Sequence, residues 1–320
     1  MSATPLDYLS SAGRRADVTL PLTWWVLGVS VAVCVIIAAL LWLGIRRARA
    51  TGGAAETRAT PVERPSDGLR WITVGLAISA VPLLATLIWT MAALAQISGP
   101  PRRPGLTIDV TGHQWWWEVQ YQGAEPSDTF TTANEIHIPV GVPVLVRLRG
   151  GDVIHSFWVP KLAGKTDAIP GQNNLAWIQA RRPGRYRGQC TEYCGTQHAR
   201  MGFEVVAEPR DAFERWRTAQ LQTAPPPVTP AQARGLALVS FRCGLCHAVR
   251  GTDAASHYGP DLTHLMSRRM IAAGMLPNNA GTLAGWTQNP QALKPGTLMP
   301  DQHLSGSELA DVGAYLETLK

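Results

Sequence analysis

The sequence predicts a multi-domain membrane protein built as a two-helix transmembrane hairpin, an all-β domain and a small all-α domain. Three observations carry this. Two long runs near the N-terminus hold no charged side chain. Residues 105–208 alternate apolar and polar positions between Pro and Gly turns, and residues 231–320 lose that alternation and close on an amphipathic segment.

An N-terminal outer segment, residues 1–20, precedes the first apolar run at 21–45; the second covers 71–97. As helices they would extend about 37 to 40 Å, enough to cross a bilayer core with some tilt. A buried core helix of that length would carry polar residues along one side, and these runs do not. A cleavable signal peptide is not expected, because the first run is too long and no small-residue cleavage site follows it. The loop 46–70 carries Arg46, Arg47, Arg49, Arg58, Arg64 and Arg70 against three acids, which places it in the cytoplasm and both termini outside. The net charge of +6 gathers in this N-terminal third, so no basic patch for nucleic acid emerges.

Within 105–208, Leu106–Val110, Glu135–Val140 and Val144–Leu148 read as strands, broken by turns at Gly141, Gly150-Gly151, Pro170-Gly171 and Pro183-Gly184. A β-sandwich or barrel follows from so many short strands. Residues 211–222 read as a helix. Thr223-Ala-Pro-Pro-Pro-Val-Thr-Pro230 then reads as an extended, semi-rigid connector, so residues 209–230 form a helix and linker ahead of the last domain. The closing helix after Ser305 has Ser307 as its expected N-cap.

Four of the five cysteines form two close pairs. Cys243-Gly-Leu-Cys246-His247 is the C-x-x-C-H pattern of covalent haem c attachment, in which two thiols bond the vinyl groups and the histidine ligates iron. A zinc ribbon would need further Cys or His partners, which this segment lacks. A thioether is the expected sixth ligand. Met266, Met270 and Met275 read as part of a helix or its end, whereas Met299 lies in Lys294-Pro-Gly-Thr-Leu-Met-Pro300, a loop stiffened by two prolines. Met299 is therefore the expected axial ligand.

The other pair lies in Gln189-Cys-Thr-Glu-Tyr-Cys-Gly-Thr-Gln-His-Ala-Arg-Met201, which offers Cys190, Cys194, His198 and Met201 within one turn between strands. Soft donors of this kind select copper, and a mononuclear blue-copper site leaves one cysteine surplus. Two bridging thiolates would instead hold two copper ions. A second histidine is then required: His155, in Asp152-Val-Ile-His-Ser-Phe-Trp158, reads as a loop residue at a strand edge, with His113 and His137 as rivals. His137 falls in mid-strand alternation and reads as structural.

Together these residues resemble cytochrome c oxidase subunit II of the caa type, whose C-terminus carries a fused cytochrome c: H-S-F-W, then C-x-E-x-C-G-x-x-H-x-x-M, downstream of two membrane helices. The resemblance implies a cupredoxin-like CuA domain at 105–208 and a class I cytochrome c domain at 231–320. It implies copper ligation by His155, Cys190, Cys194, His198, Met201 and the carbonyl of Glu192. It also implies a magnesium ion shared with a partner through the Glu192 side chain. Gly112-His-Gln-Trp-Trp-Trp117 resembles the family's aromatic segment, with Trp115 as the point where electrons reach the copper. Trp116 and Trp117 read equally well as strand packing. Tyr258-Gly-Pro-Asp-Leu262 resembles the loop whose proline carbonyl orients the haem histidine.

The implied function is electron delivery from a cytochrome c donor, through haem c and CuA, to a catalytic subunit I bearing haem and CuB. That subunit would reduce O2 to water with proton translocation in a bacterial inner (cell) membrane, and subunit III is a further expected partner. No catalytic residue is expected in this chain. Family members often place a glutamate at the start of the second helix for a proton path; here neither span holds a carboxylate, and Glu63 and Asp67 are the nearest. Other readings stay open: a subunit of a different terminal reductase, such as one acting on nitric oxide, or a membrane-anchored copper-delivery protein. The connector is expected to tether the haem domain at an effective concentration of about millimolar.

Overall fold

A computed structural model describes residues 6–50, 68–99 and 104–320. Two helices come first, α1 (Arg14–Ala50) and α2 (Gly68–Ile97), of 37 and 30 residues. Their apolar side chains are exposed along nearly the whole of both helices, which suits a lipid surround and not a protein core. The helices touch through Trp25, whose indole N–H donates to the Thr86 hydroxyl (2.8 Å) and whose ring sits 6.3 Å from that of Trp89. Glu63 and Asp67, the nearest carboxylates for a proton path, lie outside the described residues. Residues 17–99 form one compact unit and residues 100–320, with the N-terminal stretch to Ala16, form another.

Ten strands build the β domain: β1 (Leu106–His113), β2 (Trp116–Tyr121), β3 (Phe130–Ala133), β4 (Glu135–Pro139), β5 (Val144–Gly150), β6 (His155–Trp158), β7 (Thr166–Ala168), β8 (Asn174–Ile178), β9 (Gly184–Cys190) and β10 (Gly202–Glu208). They form two five-stranded sheets, β3-β2-β1-β5-β8 and β4-β10-β9-β6-β7. Period-two alternation sends Ile108, Val110, Trp117, Val119, Val144, Val146 and Leu148 inward. Trp117 meets Phe157, Phe203 and His155 edge-on at 5.5–5.9 Å. Removing such a side chain costs about 3–5 kcal/mol. Tyr121 joins the sheets: its hydroxyl donates to the His137 carbonyl and accepts from the His137 amide. Trp116 stacks on His113 at the surface, so both strand tryptophans pack the fold.

A helix, α3 (Arg210–Gln220), buries Phe213 against this core and leads to the connector. The last domain contains α4 (Pro230–Leu238), a two-stranded ribbon of β11 (Met270–Ile271) and β12 (Leu276–Pro277), α5 (Ala280–Gln288), α6 (Pro290–Leu293) and α7 (Gly306–Leu316). Thr229 and Gln232 form a capping box at α4, with Pro230 at its first position. Its neighbour α7 is capped by Ser305 and not by Ser307, because Glu308 stands three residues after Ser305 and completes that box. Helices α4 and α7 close together around Val239, Val312, Tyr315 and Leu316, and Arg234 grips Asp311 with two bonds of 2.7 and 2.8 Å.

Two expectations change here. The stretch around Met266, Met270 and Met275 is not a helix but a 3-10 turn and the ribbon, whose tip places Ala272, Ala273 and Gly274 at positive φ. The connector is not a free tether. The Gln220 carbonyl accepts from Arg250, and the Ala224 amide donates to the Arg250 carbonyl. The haem-motif domain itself bonds to the β domain at several points described below.

Candidate metal centre and haem-binding motif

The copper-ligand candidates come from three pieces of the β domain: β6, the end of β9, and the loop from β9 to β10. Pairing of β6 with β9 sets Phe157 opposite Cys190. His155, the first residue of β6 and not a loop residue, faces the same side as Phe157 and is fully buried. Gly112 makes room for it: a Cβ at that position would stand 2.7 Å from the His155 ring.

The loop then turns back on itself. The Cys190 amide donates to the Met201 carbonyl (3.0 Å), and the short 3-10 turn His198–Arg200 brings His198 and Met201 under the two cysteines. The resulting donor atoms converge. Cys190 Sγ lies 3.8 Å from Cys194 Sγ, 3.9 Å from His155 Nδ1 and 3.3 Å from the Glu192 carbonyl. Cys194 Sγ lies 3.5 Å from His198 Nδ1 and 3.8 Å from Met201 Sδ. His155, Cys190 and Cys194 form a three-residue cluster with metal-binding geometry. Of the rival histidines, His113 stacks on Trp116, and His137 is buried between Glu208 and Glu135 and stacked on Trp216.

The electrostatics favour a cation between the sulfurs. Hydrogen bonding from Cys194, and then from His155, lowers the first ionisation of the pair, drawing the Cys190 thiol down to about 4. The second ionisation is pushed far up, because a thiolate already stands beside it. One proton therefore remains shared until a soft metal replaces it. The Nε2 of His155 bonds Asp152 at 2.7 Å, which leaves Nδ1 toward the sulfurs. Asp152 also accepts from the Gln114 amide (2.6 Å), so it links the buried histidine to the tryptophan segment.

Trp115 is buried, and its indole N–H donates to the Cys194 carbonyl (2.9 Å), which also accepts from the Gln114 side chain (2.7 Å). The expected point of electron arrival thus bonds directly to the cysteine loop. The Glu192 carboxylate is 43 % exposed and faces Lys165 Nζ at 4.0 Å.

In the last domain, α4 runs into a π-turn, Val239–Cys243, that delivers the first haem-motif cysteine. Burial pushes the Cys243 thiol up to about 11. His247 Nδ1 donates to the Pro260 carbonyl (2.7 Å), leaving its Nε2 lone pair for iron, and burial holds the ring below its ordinary pKa and so neutral. Gly259 allows this approach, since a Cβ there would meet the imidazole at 2.7 Å. Large apolar side chains at Phe241, Leu245, Tyr258 and Leu298 are exposed in the motif and in the segments containing Pro260 and Met299, as suits a domain that covers a porphyrin. Gln291 braces the Met299 loop through the carbonyls of Thr297 and Met299 (both 2.7 Å) and the Gly296 amide (2.9 Å). Met266 instead packs on the domain core, and Met270 lines a cavity with Glu135 and Glu204 of the β domain.

Several contributing residues carried no sequence signal. Lys294 and Arg269 bond across the domain boundary, a pairing over more than sixty residues that no local pattern displays. Asp152 was visible three residues before His155 but unassigned.

Residues 126–208 match the family described as cytochrome c oxidase subunit II, periplasmic domain, and residues 232–320 match cytochrome c. The chain is 40% identical over 215 residues to cytochrome c oxidase subunit 2 of Alkalihalophilus pseudofirmus, covering 67% of this chain and 61% of that relative's length. It is 31% identical over 258 residues to cytochrome c oxidase subunit 2 of Bacillus sp. strain PS3, covering 77% of this chain and 71% of the relative. The crystal structure of the periplasmic domain of subunit II of cytochrome oxidase of Bradyrhizobium japonicum matches 38% of this chain and 96% of its own, with 32% identity and a TM-score of 0.36.

Proposed function

The chain belongs to the cytochrome c oxidase subunit 2 family, with a fused cytochrome c domain, and from that premise we propose that it feeds electrons to the catalytic subunit of a haem-copper oxidase. The observation that carries the reading is the convergence of two cysteine sulfurs, two histidine nitrogens, a methionine sulfur and a carbonyl in one buried loop site.

The donor set fits a pair of copper ions better than one, because a mononuclear site would leave a thiolate surplus. A copper pair supplies one-electron transfer with little ligand rearrangement, and covalent haem supplies the same upstream. Cys190 and Cys194, with Nδ1 of His155 and His198, the Met201 sulfur and the Glu192 carbonyl, would hold the pair. Asp152 keeps the His155 ring from turning. In the last domain, Cys243 and Cys246 would hold the haem as thioethers, the Pro260 carbonyl orients His247 toward its iron, and Met299 would be the sixth ligand, a choice that would raise the potential. Trp115, bonded to the Cys194 carbonyl, would give electrons a direct path to the cysteine loop.

Electrons then pass to a partner carrying haem and CuB, subunit I, where O2 becomes water with protons translocated. The donor is a cytochrome c or similar carrier, and subunit III completes the assembly. The two exposed apolar helices anchor the chain in a bacterial cell membrane, with the Arg-rich loop inside and both metal domains outside.

Oxygen uptake by the co-purified complex, driven by a reduced artificial donor, tests the function. Rapid uptake that a His155→Ala chain abolishes is the expected result. Absence of uptake from a complex with intact copper and haem spectra would refute the oxidase and direct attention to another acceptor, nitric oxide first.

A further inference from the structure

We propose that the haem domain is a fixed cap over Trp115, pinned by Lys294, so that the copper site takes electrons only through that domain and no outside protein reaches it directly. The inference rests on the reading of the two sites given above.

Two segments of the haem domain land on the copper side. Residues 293–295 meet the copper loop: Arg200 donates to the Leu293 carbonyl (2.8 Å) and Gln197 to the Pro295 carbonyl (2.7 Å). Between them Lys294, only 2 % exposed, donates from Nζ to the Trp115 carbonyl at 2.8 Å and to the Ala272 carbonyl at 3.3 Å. The other segment is the ribbon. The Gly202 amide donates to Ala273 (3.0 Å), Arg269 pairs with Glu204 (2.7 Å), and the Arg269 amide donates to Glu135 (3.2 Å).

Trp115 is enclosed between the two domains. A Cβ at Gly195, on the copper loop, would stand 2.9 Å from its ring, and one at Gly296, on the haem-domain loop, 3.8 Å. The tryptophan is 7 % exposed as a result. The loop that touches it continues within three residues to Met299. Burying a lysine ammonium against carbonyls alone, with no carboxylate beside it, is costly, and burial draws Lys294 down to about 7. A side chain held there at such expense makes the loop's position specific: its carbonyl partners lie one on each domain. A soluble one-electron carrier, in contrast, finds the ring covered. Its electron would therefore have to arrive through the haem domain.

The test uses the full complex with the wild-type chain, Lys294→Ala, Lys294→Arg or Arg269→Glu, the last setting a carboxylate against Glu204. Hydroxyl-radical labelling of Trp115 is read by mass spectrometry. In parallel, each complex is mixed rapidly with a reduced small c-type cytochrome while haem and copper absorbances are followed separately. The expected result is a protected Trp115 in the wild type, with copper reduction always lagging haem reduction. Lys294→Ala and Arg269→Glu lose that protection several-fold and gain a copper phase ahead of the haem phase, with the covalent haem spectrum unchanged. Lys294→Arg, which keeps a cationic donor, restores most of the protection.

Wild-type Trp115 labelled as readily as in the variants would overturn the cap, as would copper reduced in the wild type without passing through haem. Expected labelling in all four proteins with no copper signal would instead refute the metal assignment, and the claim on electron arrival with it, while supporting Lys294 as the pin.

Discussion

His137 and Asp152 show how single side chains decide what the β domain can hold. Burial alone would lower the pKa of His137, but its bonds to Glu135 and Glu208 outweigh that and raise it. A raised folded value means stability that is fully present below the unfolded pKa of about 6.5 and is lost as pH rises through the folded one. Glu135, held low by the same contacts against its own burial, contributes in the opposite sense and loses its share in acid. Replacing His137 by Gln should therefore cost on the order of 3 kcal/mol at pH 6 and distinctly less at pH 9, read from unfolding midpoints of the complex. An equal cost at both would mean that the histidine is neutral in the fold. Asp152 acts instead on the metal site, by holding Nε2 of His155. Asp152→Asn should weaken copper retention about 10–100-fold in chelator competition.

At the scale of elements, β1 and β5 were legible because each buries alternate side chains, a pattern that survives without tertiary knowledge, whereas β4 buries all five of its residues. The haem histidine and its Pro260 partner were legible for a similar reason, since motif and loop are short and local. What failed was non-periodic. The methionine-rich stretch 266–275 looked helical by composition, yet positive φ at Ala272, Ala273 and Gly274 turns it into a ribbon that faces the β domain. His155 looked like a loop residue because the glycines before it mask the start of β6. The Met299 loop is held between two prolines and braced by Gln291, and its axial role is a proposal open to test. Met299→Ala should leave haem covalently attached but lower its potential, measured by spectroelectrochemical titration. An unchanged potential would transfer the axial role to another group.

In the whole molecule, the most consequential difference from the sequence reading is the seat of the haem domain. A proline-rich connector suggests a tether and a local concentration. The structure holds the domain through Arg269, Lys294, Gln197 and Arg200, none of which announces a partner in the sequence. Side-chain bonds across 65 to 179 positions have no local signature, whereas Cys190, Cys194, His198 and Met201 stand within twelve positions of one another and drew attention as a group. The cytochrome c domain and the β domain therefore meet around Trp115.

If the cysteine loop holds two copper ions sharing one electron, electron paramagnetic resonance of the oxidised complex, with copper content determined per chain, will show it. Two coppers and a hyperfine splitting from two equivalent nuclei are the predicted result. One copper per chain, with splitting from a single nucleus, would contradict it.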